Sequence, residues 1–221
     1  MQRMIARISL AALFLSGCNA VVNDEGAASA TWLPDSTALV IVGRIDGNQA
    51  ELMRLLPESG NVTNDTGEYR MVSQSRDGIV LEYPFATQSN AKSKTEVFTV
   101  TIINDDLVSL TVYRADTQLL HVDTRERPQI TEQRLQQIQV WRSDSQVCLE
   151  WPRDAFPHAA LAWRENDRQR HLFFTEATDE QSCTAALGVP DAVEYVVTLR
   201  HDLFVKQALV SARERRQRSE Q

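Results

Sequence analysis

Apolar and polar residues alternate with period two over most of the chain from Thr37 onward, a pattern that predicts short β-strands rather than helices. Segments 38–44, 50–56, 68–73 and 79–83 are rich in β-branched and aromatic residues and are broken by Asp46-Gly47, Pro57 and Asp77-Gly78. Asp-Gly suits the positive φ angles of a tight turn, so 68–73 and 79–83 are expected to form a hairpin. The clearest alternation lies in 98–102, where Phe98, Val100 and Ile102 interleave with Thr99 and Thr101. It recurs in 108–112, where Val108, Leu110 and Val112 interleave with Ser109 and Thr111. Asn104-Asp105-Asp106 joins these two segments, and they read as a second hairpin. One buried and one wet face per strand is the mark of antiparallel sheets. Residues 119–122 close a first group of strands before the charged stretch 123–128. Residues 131–139 suit either a short helix with Leu135 and Ile138 on one face or a direct lead into a strand at 138–141. A second group follows at 147–151, 159–164, 171–177, 183–187, 194–200 and 205–211, at the spacing of a sandwich.

The chain ahead of these strands is patterned differently. Arg3 and Arg7 precede a run from Ile8 to Leu15 that is apolar save for Ser9, and Ser16 and Gly17 lead into Cys18. The run falls well short of the roughly 20 apolar residues a membrane-spanning helix needs, so it reads as an export signal cleaved between Gly17 and Cys18. Residues 19–35 are polar and small, as expected of a flexible tether. The chain therefore divides into a signal peptide (1–17), a lipidated N-terminus and tether (18–36), a first β-sandwich (37–127), a second β-sandwich (128–212) and a charged tail (213–221). The fold class expected is all-β, two antiparallel sandwiches in tandem.

Leu15-Ser16-Gly17-Cys18 resembles the lipobox of bacterial lipoproteins. That resemblance implies a Cys18 acylated on its sulfur and, after cleavage, on its new amine. By resemblance to enterobacterial sorting, Asn19 in place of Asp implies the outer membrane. In the second group of strands, Val147-x-Leu149-x-Trp151, Leu161-x-Trp163 and Leu187-Gly-Val-Pro190-Asp-Ala-Val-Glu-Tyr195-x-Val197-x-Leu199 resemble a fibronectin type III domain. This implies that Trp151 is a core tryptophan and that Tyr195 is a tyrosine corner, its hydroxyl bonded to backbone near the preceding turn; Trp163 shares the parity of the core. From about residue 38 to 211 the order is also similar to the paired β-sandwich modules that follow catalytic domains in some secreted bacterial peptidases. The residues that carry this are Val42-Gly43-Arg44-Ile45, Glu68-Tyr69-Arg70 before Asp77-Gly78-Ile79-Val80-Leu81, and Phe98-Thr-Val-Thr-Ile102. No catalytic domain precedes the strands here, and the acidic loop of those modules is reduced to Pro152-Arg153-Asp154.

Charge and cysteine use narrow the function. Loss of Arg3 and Arg7 takes Lys+Arg from 23 to 21 against 30 Asp+Glu, so the net charge moves from −7 to −9. An acidic chain whose basic residues cluster only at Arg213, Arg215, Arg216 and Arg218 lacks the surface that nucleic acid needs. With Cys18 lipidated, Cys148 and Cys183 remain as a pair that an oxidising compartment permits to bond. Parity sends Cys148 outward if Val147, Leu149 and Trp151 point in, whereas Cys183 shares parity with Ala185 and Leu187, which read as inward. Whether the two meet stays open.

The chain carries no His-Glu-x-x-His, no Gly-x-Ser-x-Gly and no phosphate loop. His121 and Asp123 can share one strand face but are two ligands where zinc needs three or four, so solvated edge residues are the better reading and no metal or cofactor is expected. Asn104-Asp105-Asp106 reads as a turn rather than a calcium loop. Glu150, Glu165, Glu176 and Glu194 read as solubilising charges, and the tripeptides at Asn61 and Asn64 as accidental glycosylation matches. Trp32 and Trp141 are the two tryptophans whose exposure would favour glycan stacking. The function expected is a non-catalytic lipoprotein, held to the membrane by its lipid, that binds or assembles with an envelope protein. A carbohydrate- or peptidoglycan-binding module and an unrecognised hydrolase are the alternatives.

Overall fold

Alternation becomes strands throughout. The computed structural model describes residues 30–58, 62–89, 95–124, 126–165, 168–179, 182–190 and 194–214. In chain order it contains β1 (Ala30–Trp32), β2 (Ala38–Asp46), β3 (Gln49–Glu58), β4 (Tyr69–Ser75), β5 (Val80–Phe85), β6 (Gln88–Ser89), β7 (Thr95–Ile103), β8 (Leu107–Arg114) and β9 (Thr117–Asp123). The helix α1 (Glu132–Gln136) follows, then β10 (Gln139–Arg142), β11 (Gln146–Glu150), β12 (His158–Glu165), β13 (Arg168–Glu176), β14 (Cys183–Ala185), β15 (Glu194–His201), β16 (Phe204–Ser211) and β17 (Arg213–Glu214). The fold is all-β, as expected. Both readings of 131–139 hold in part: Thr131 caps the one-turn helix with its side-chain oxygen, and the chain then enters β10.

The first sandwich packs sheet β3-β2-β7-β6 on sheet β5-β4-β8-β9. Leu39, Ile41, Phe98, Val100 and Ile102 from one sheet meet Tyr69, Met71, Phe85, Leu110 and Val112 from the other in a single core. Asp77-Gly78 does turn the β4–β5 hairpin, with Gly78 at φ +82. The hairpin expected between 98–102 and 108–112 does not form. β7 pairs with β2 and β8 with β4, so the Asn104–Asp106 turn crosses from one sheet to the other. Period two shows that each strand has a dry face, and facing sheets satisfy that as well as pairing does. An irregularity in the β4–β8 register makes Leu107, not Val108, the buried residue. At Gly43 a Cβ would collide with the ring of Phe98 and lie 2.5 Å from the Glu51 carbonyl oxygen, so close backbone approach requires glycine there.

The second sandwich packs β14-β11-β10-β17 on β1-β16-β15-β12-β13. Seven strands in the order β10, β11, β12, β13, β14, β15, β16 place the first, second and fifth in one sheet and the others in its partner, an immunoglobulin-type sandwich of the fibronectin type III kind. The eighth member is the correction. Ala30–Trp32, read as tether, is an edge strand on β16, with Trp32 opposite Ala208. Leu33 N–H continues the ladder to the Gln207 carbonyl at 2.9 Å, and Asp35 meets Lys206 at 2.7 Å. The described chain thus starts on the second sandwich at Ala30, builds the first, and returns.

The two bodies are joined by packing as well as by chain. The β15–β16 turn inserts Leu203, 1% exposed, and Val205 into the core of the first sandwich. Leu203 N–H donates to the buried Thr124 hydroxyl. Arg127 of the connecting segment pairs with Asp106, donates to the Leu107 carbonyl at 3.2 Å and lies 5.3 Å from the centre of the Phe204 ring.

Candidate functional site

Where β3 of the first sandwich crosses the outer face of β12, β13 and β15, the surfaces do not close, leaving a cavity of about 340 Å3. β3 contributes Met53, Arg54 and Leu55; β12 and β15 supply a floor of Ala160, Thr198 and Arg200; β13 supplies Phe174 and Glu176. Alternation aims Thr198 and Arg200 of β15 to this side, while Val197 and Leu199 serve the core. Met53 and Phe174 remain 46% and 36% exposed, so the walls are large apolar groups in contact with water.

The polar groups here differ in how far they are satisfied. Arg54 lies 4.0 Å from the Phe174 ring centre, and His171 stacks on the same ring at 5.2 Å. Asp179 accepts from the Glu176 backbone N–H at 2.7 Å and the Thr175 hydroxyl at 2.9 Å, and these bonds hold its carboxyl below the usual range. His158 stands 3.5 Å from Glu176, but burial first, and Arg200 beside it second, push its imidazole below its ordinary pKa, so the contact is with a neutral ring at neutral pH. Burial also lowers His171, with Arg54 adding to it. Arg200 is half-buried, its pKa is lowered by burial, and its Nε is enclosed with no hydrogen-bond partner among the described residues. The Thr175 hydroxyl gives its proton to Asp179, and the Thr198 hydroxyl oxygen accepts from Gln207 Nε2 at 3.0 Å.

The residues singled out from sequence lie elsewhere. Gly17 and Cys18 fall outside the described residues, as does 215–221. Cys148 and Cys183 are bonded to each other, directly opposite across β11 and β14. Cys148 does face outward as parity predicts, and Cys183 faces outward too. It is Ala185 and Leu187 whose inward reading fails: Leu187 is 91% exposed, and Ala186 is the buried residue. Trp151 is in the core, its Nε1 donating to the Phe156 carbonyl at 2.8 Å, with Arg153 stacked on the ring. Tyr195 is fully buried, but its hydroxyl accepts from Arg142 Nη1 at 3.1 Å, and Arg142 in turn donates to the Val189 and Pro190 carbonyls. The corner is therefore made through a guanidinium rather than directly with backbone. Trp163 is half-buried against the same core.

Trp32 and Trp141 are half-buried, both with enclosed Nε1; Trp32 packs on the second core and Arg213 lies 5.5 Å from the Trp141 ring centre. His121 Nε2 meets Asp123 at 3.0 Å and its Nδ1 meets the Thr111 hydroxyl at 2.8 Å, a cross-strand arrangement on β8 and β9 that does not line this cavity. Among the described residues no cluster of His, Cys, Asp and Glu forms a metal site, and no helix is long and apolar enough to cross a membrane. Asn64, within an apparent glycosylation tripeptide, uses its amide to bond both backbone groups of Thr101 on β7. Sequence reasoning missed Arg54, Phe174 and Arg200, because no spacing marks residues that meet only across two domains.

No family model and no curated protein matches this sequence. Among solved structures, a segment of two fibronectin type III domains from chicken tenascin aligns over 83% of this chain and 98% of its own, at 10% identity and a TM-score of 0.26. At that score the alignment carries no argument, and the sandwich assignment rests on the strand pairing above.

Proposed function

We propose that this chain is a non-catalytic protein-binding or assembly module of the bacterial cell envelope, lipid-anchored through Cys18 and most consistent with the outer membrane. The observation that carries the binding role is the cavity between the sandwiches, where exposed Met53 and Phe174 stand beside Arg54 and Arg200. Rigid sandwiches that hold such a surface at their junction are suited to recognition, because the groups are ordered before the partner arrives. β3 and β13, which flank the cavity, are also the terminal strands of their sheets among the described residues. The anchor is supported by Leu15-Ser16-Gly17-Cys18, and an oxidising location is supported by the Cys148–Cys183 bond.

The test is mass spectrometry of membrane-extracted protein, with a photo-crosslinking residue in place of Met53 and, as a control, of Ile103 on the far strand β7. The expected result is a diacylated Cys18 at the mature N-terminus and one reproducible envelope protein joined from position 53 but not from 103. The joined protein should then bind in purified form. An unmodified Cys18 would remove the anchor, and equal crosslinking from both positions would remove the binding surface.

A further inference from the structure

We propose that residues 213–218 are a second membrane contact, an arginine segment that lies on anionic phospholipid headgroups and sets how the second sandwich stands on the bilayer. This rests on the lipid anchor at Cys18 proposed above and names the part of the fold that meets the membrane.

Strand register brings two distant stretches of chain to one end of the fold. Ala30 opens β1 opposite Val210 near the end of β16, and the same row continues through Tyr195 and Trp163 to Arg170. The chain from Cys18 therefore reaches the second sandwich at the end where β16 leaves it. Just past that row, β17 is tied to β10, with Arg213 opposite Trp141. The Arg213 guanidinium lies 5.5 Å from the Trp141 ring centre and donates to Gln139 Oε1 at 3.3 Å, so the first arginine of the segment is fixed to the sandwich. The β15–β16 turn, which carries Leu203 into the first sandwich, is at the opposite end of these strands. Twelve residues separate Cys18 from Ala30, and chain extended at about 3.3–3.6 Å per residue spans at most about 40 Å over that length. An anchor at Cys18 thus draws this end of the second sandwich toward the bilayer.

Charge separates the segment from everything around it. It reads Arg213-Glu-Arg-Arg-Gln-Arg218, four arginines against one glutamate, or +3 in a mature chain of −9, so the remainder carries −12. The other charges at this end are of both signs, with Arg164 and Arg168 in strand ends that also hold Glu165 and Glu194, so residues 213–218 give it its sign. Arginine is attracted to an anionic bilayer only within a Debye length, about 8–10 Å, so a segment gains from it only when held at the surface. Anchoring supplies that proximity: with Cys18 in the bilayer the second contact is intramolecular, and a few arginines suffice. The same surface repels the acidic remainder, which favours the orientation with 213–218 against the headgroups. Nucleic acid in solution gains no such proximity and meets the charge of the acidic body.

The full chain would be purified from membranes, its Cys18 read by mass spectrometry, and reconstituted into vesicles of phosphatidylcholine alone or with about a third phosphatidylglycerol. A photo-crosslinking residue replaces Gln217 or, as a control, exposed Gln74 on β4 of the first sandwich. Position 217 should label lipid at least about tenfold more in the phosphatidylglycerol vesicles, position 74 in neither, and about 0.5 M salt should remove the difference. Replacing Arg215, Arg216 and Arg218 together by glutamine should abolish the labelling while the anchor keeps the protein on the vesicle. Equal labelling in both vesicles, or labelling that survives the triple replacement, overturns the proposal. So does a protein, rather than lipid, joined to position 217 in intact cell membranes. A lipidated Cys18 with no labelling from 217 removes this contact and leaves the anchor standing, whereas an unlipidated Cys18 removes both.

Discussion

A single phenol illustrates how one residue couples packing to charge in the first sandwich. Tyr69 is buried against Phe85 at 5.5 Å and donates its hydroxyl to Glu96 at 3.0 Å, an acceptor that also takes the Thr87 hydroxyl. Burial, and after it the bond to Glu96, raise its pKa from 10.0 to about 12. A raised folded value means that the unfolded chain releases this proton first as pH rises. The contribution is therefore complete below about 10 and is lost as pH climbs through about 12. Tyr69→Phe should cost about 1–3 kcal/mol in urea unfolding at neutral pH, since it strips a charged acceptor of one donor. It should also flatten the fall in stability between those two pH values, and an unchanged alkaline slope would show that Tyr69 is not its source.

At the scale of the element, the shortest strands hold the second sandwich's edges. β14 has three residues at the rim of its sheet and is tied to β11 by the Cys148–Cys183 bond across a separation of 35 residues. Closing a loop of that length restricts the unfolded chain by about 3–4 kcal/mol. Reduction, or replacement of both cysteines by alanine, should lower the urea midpoint accordingly; coincident curves with and without reductant would refute this. β1 gives the second test at this scale. As a tether residue Trp32 would tolerate substitution within about 0.5 kcal/mol. As a strand residue packed on the core opposite Ala208, Trp32→Ala should cost about 2–3 kcal/mol, and only the larger value agrees with the strand.

At the scale of the whole molecule, the two sandwiches are interlocked. The first is built between β1 and β10 of the second, and Leu203 from the second completes the core of the first. Wild type should unfold in one transition. The tryptophans supply a probe, because Trp32, Trp141, Trp151 and Trp163 all lie in the second sandwich, whereas far-ultraviolet circular dichroism reports both. Leu203→Ala should cost about 2–5 kcal/mol and pull the two signals apart, with the first sandwich unfolding earlier. Coincident signals in that variant would mean that the sandwiches couple by some other contact.

The sequence by itself determined the β content, the Asp77-Gly78 turn and the inward face of Trp151, while the buried place of Tyr195 was implied by the resemblance to a fibronectin type III domain. All of these are local: a side chain's face follows from parity, and a turn from the φ angles its residues tolerate. Tertiary structure alone decided which strands share a sheet, why β7 and β8 part company, that Ala30–Trp32 belongs to a domain whose next strand begins at Gln139, and that Cys183 turns outward to meet Cys148. It also decided the candidate site, since Arg54 and Phe174 meet across two domains and Asp35 and Lys206 across 171 positions. Period two records that a strand has one dry face. Which neighbour keeps it dry depends on long-range packing, and only that packing brings Arg54 onto Phe174.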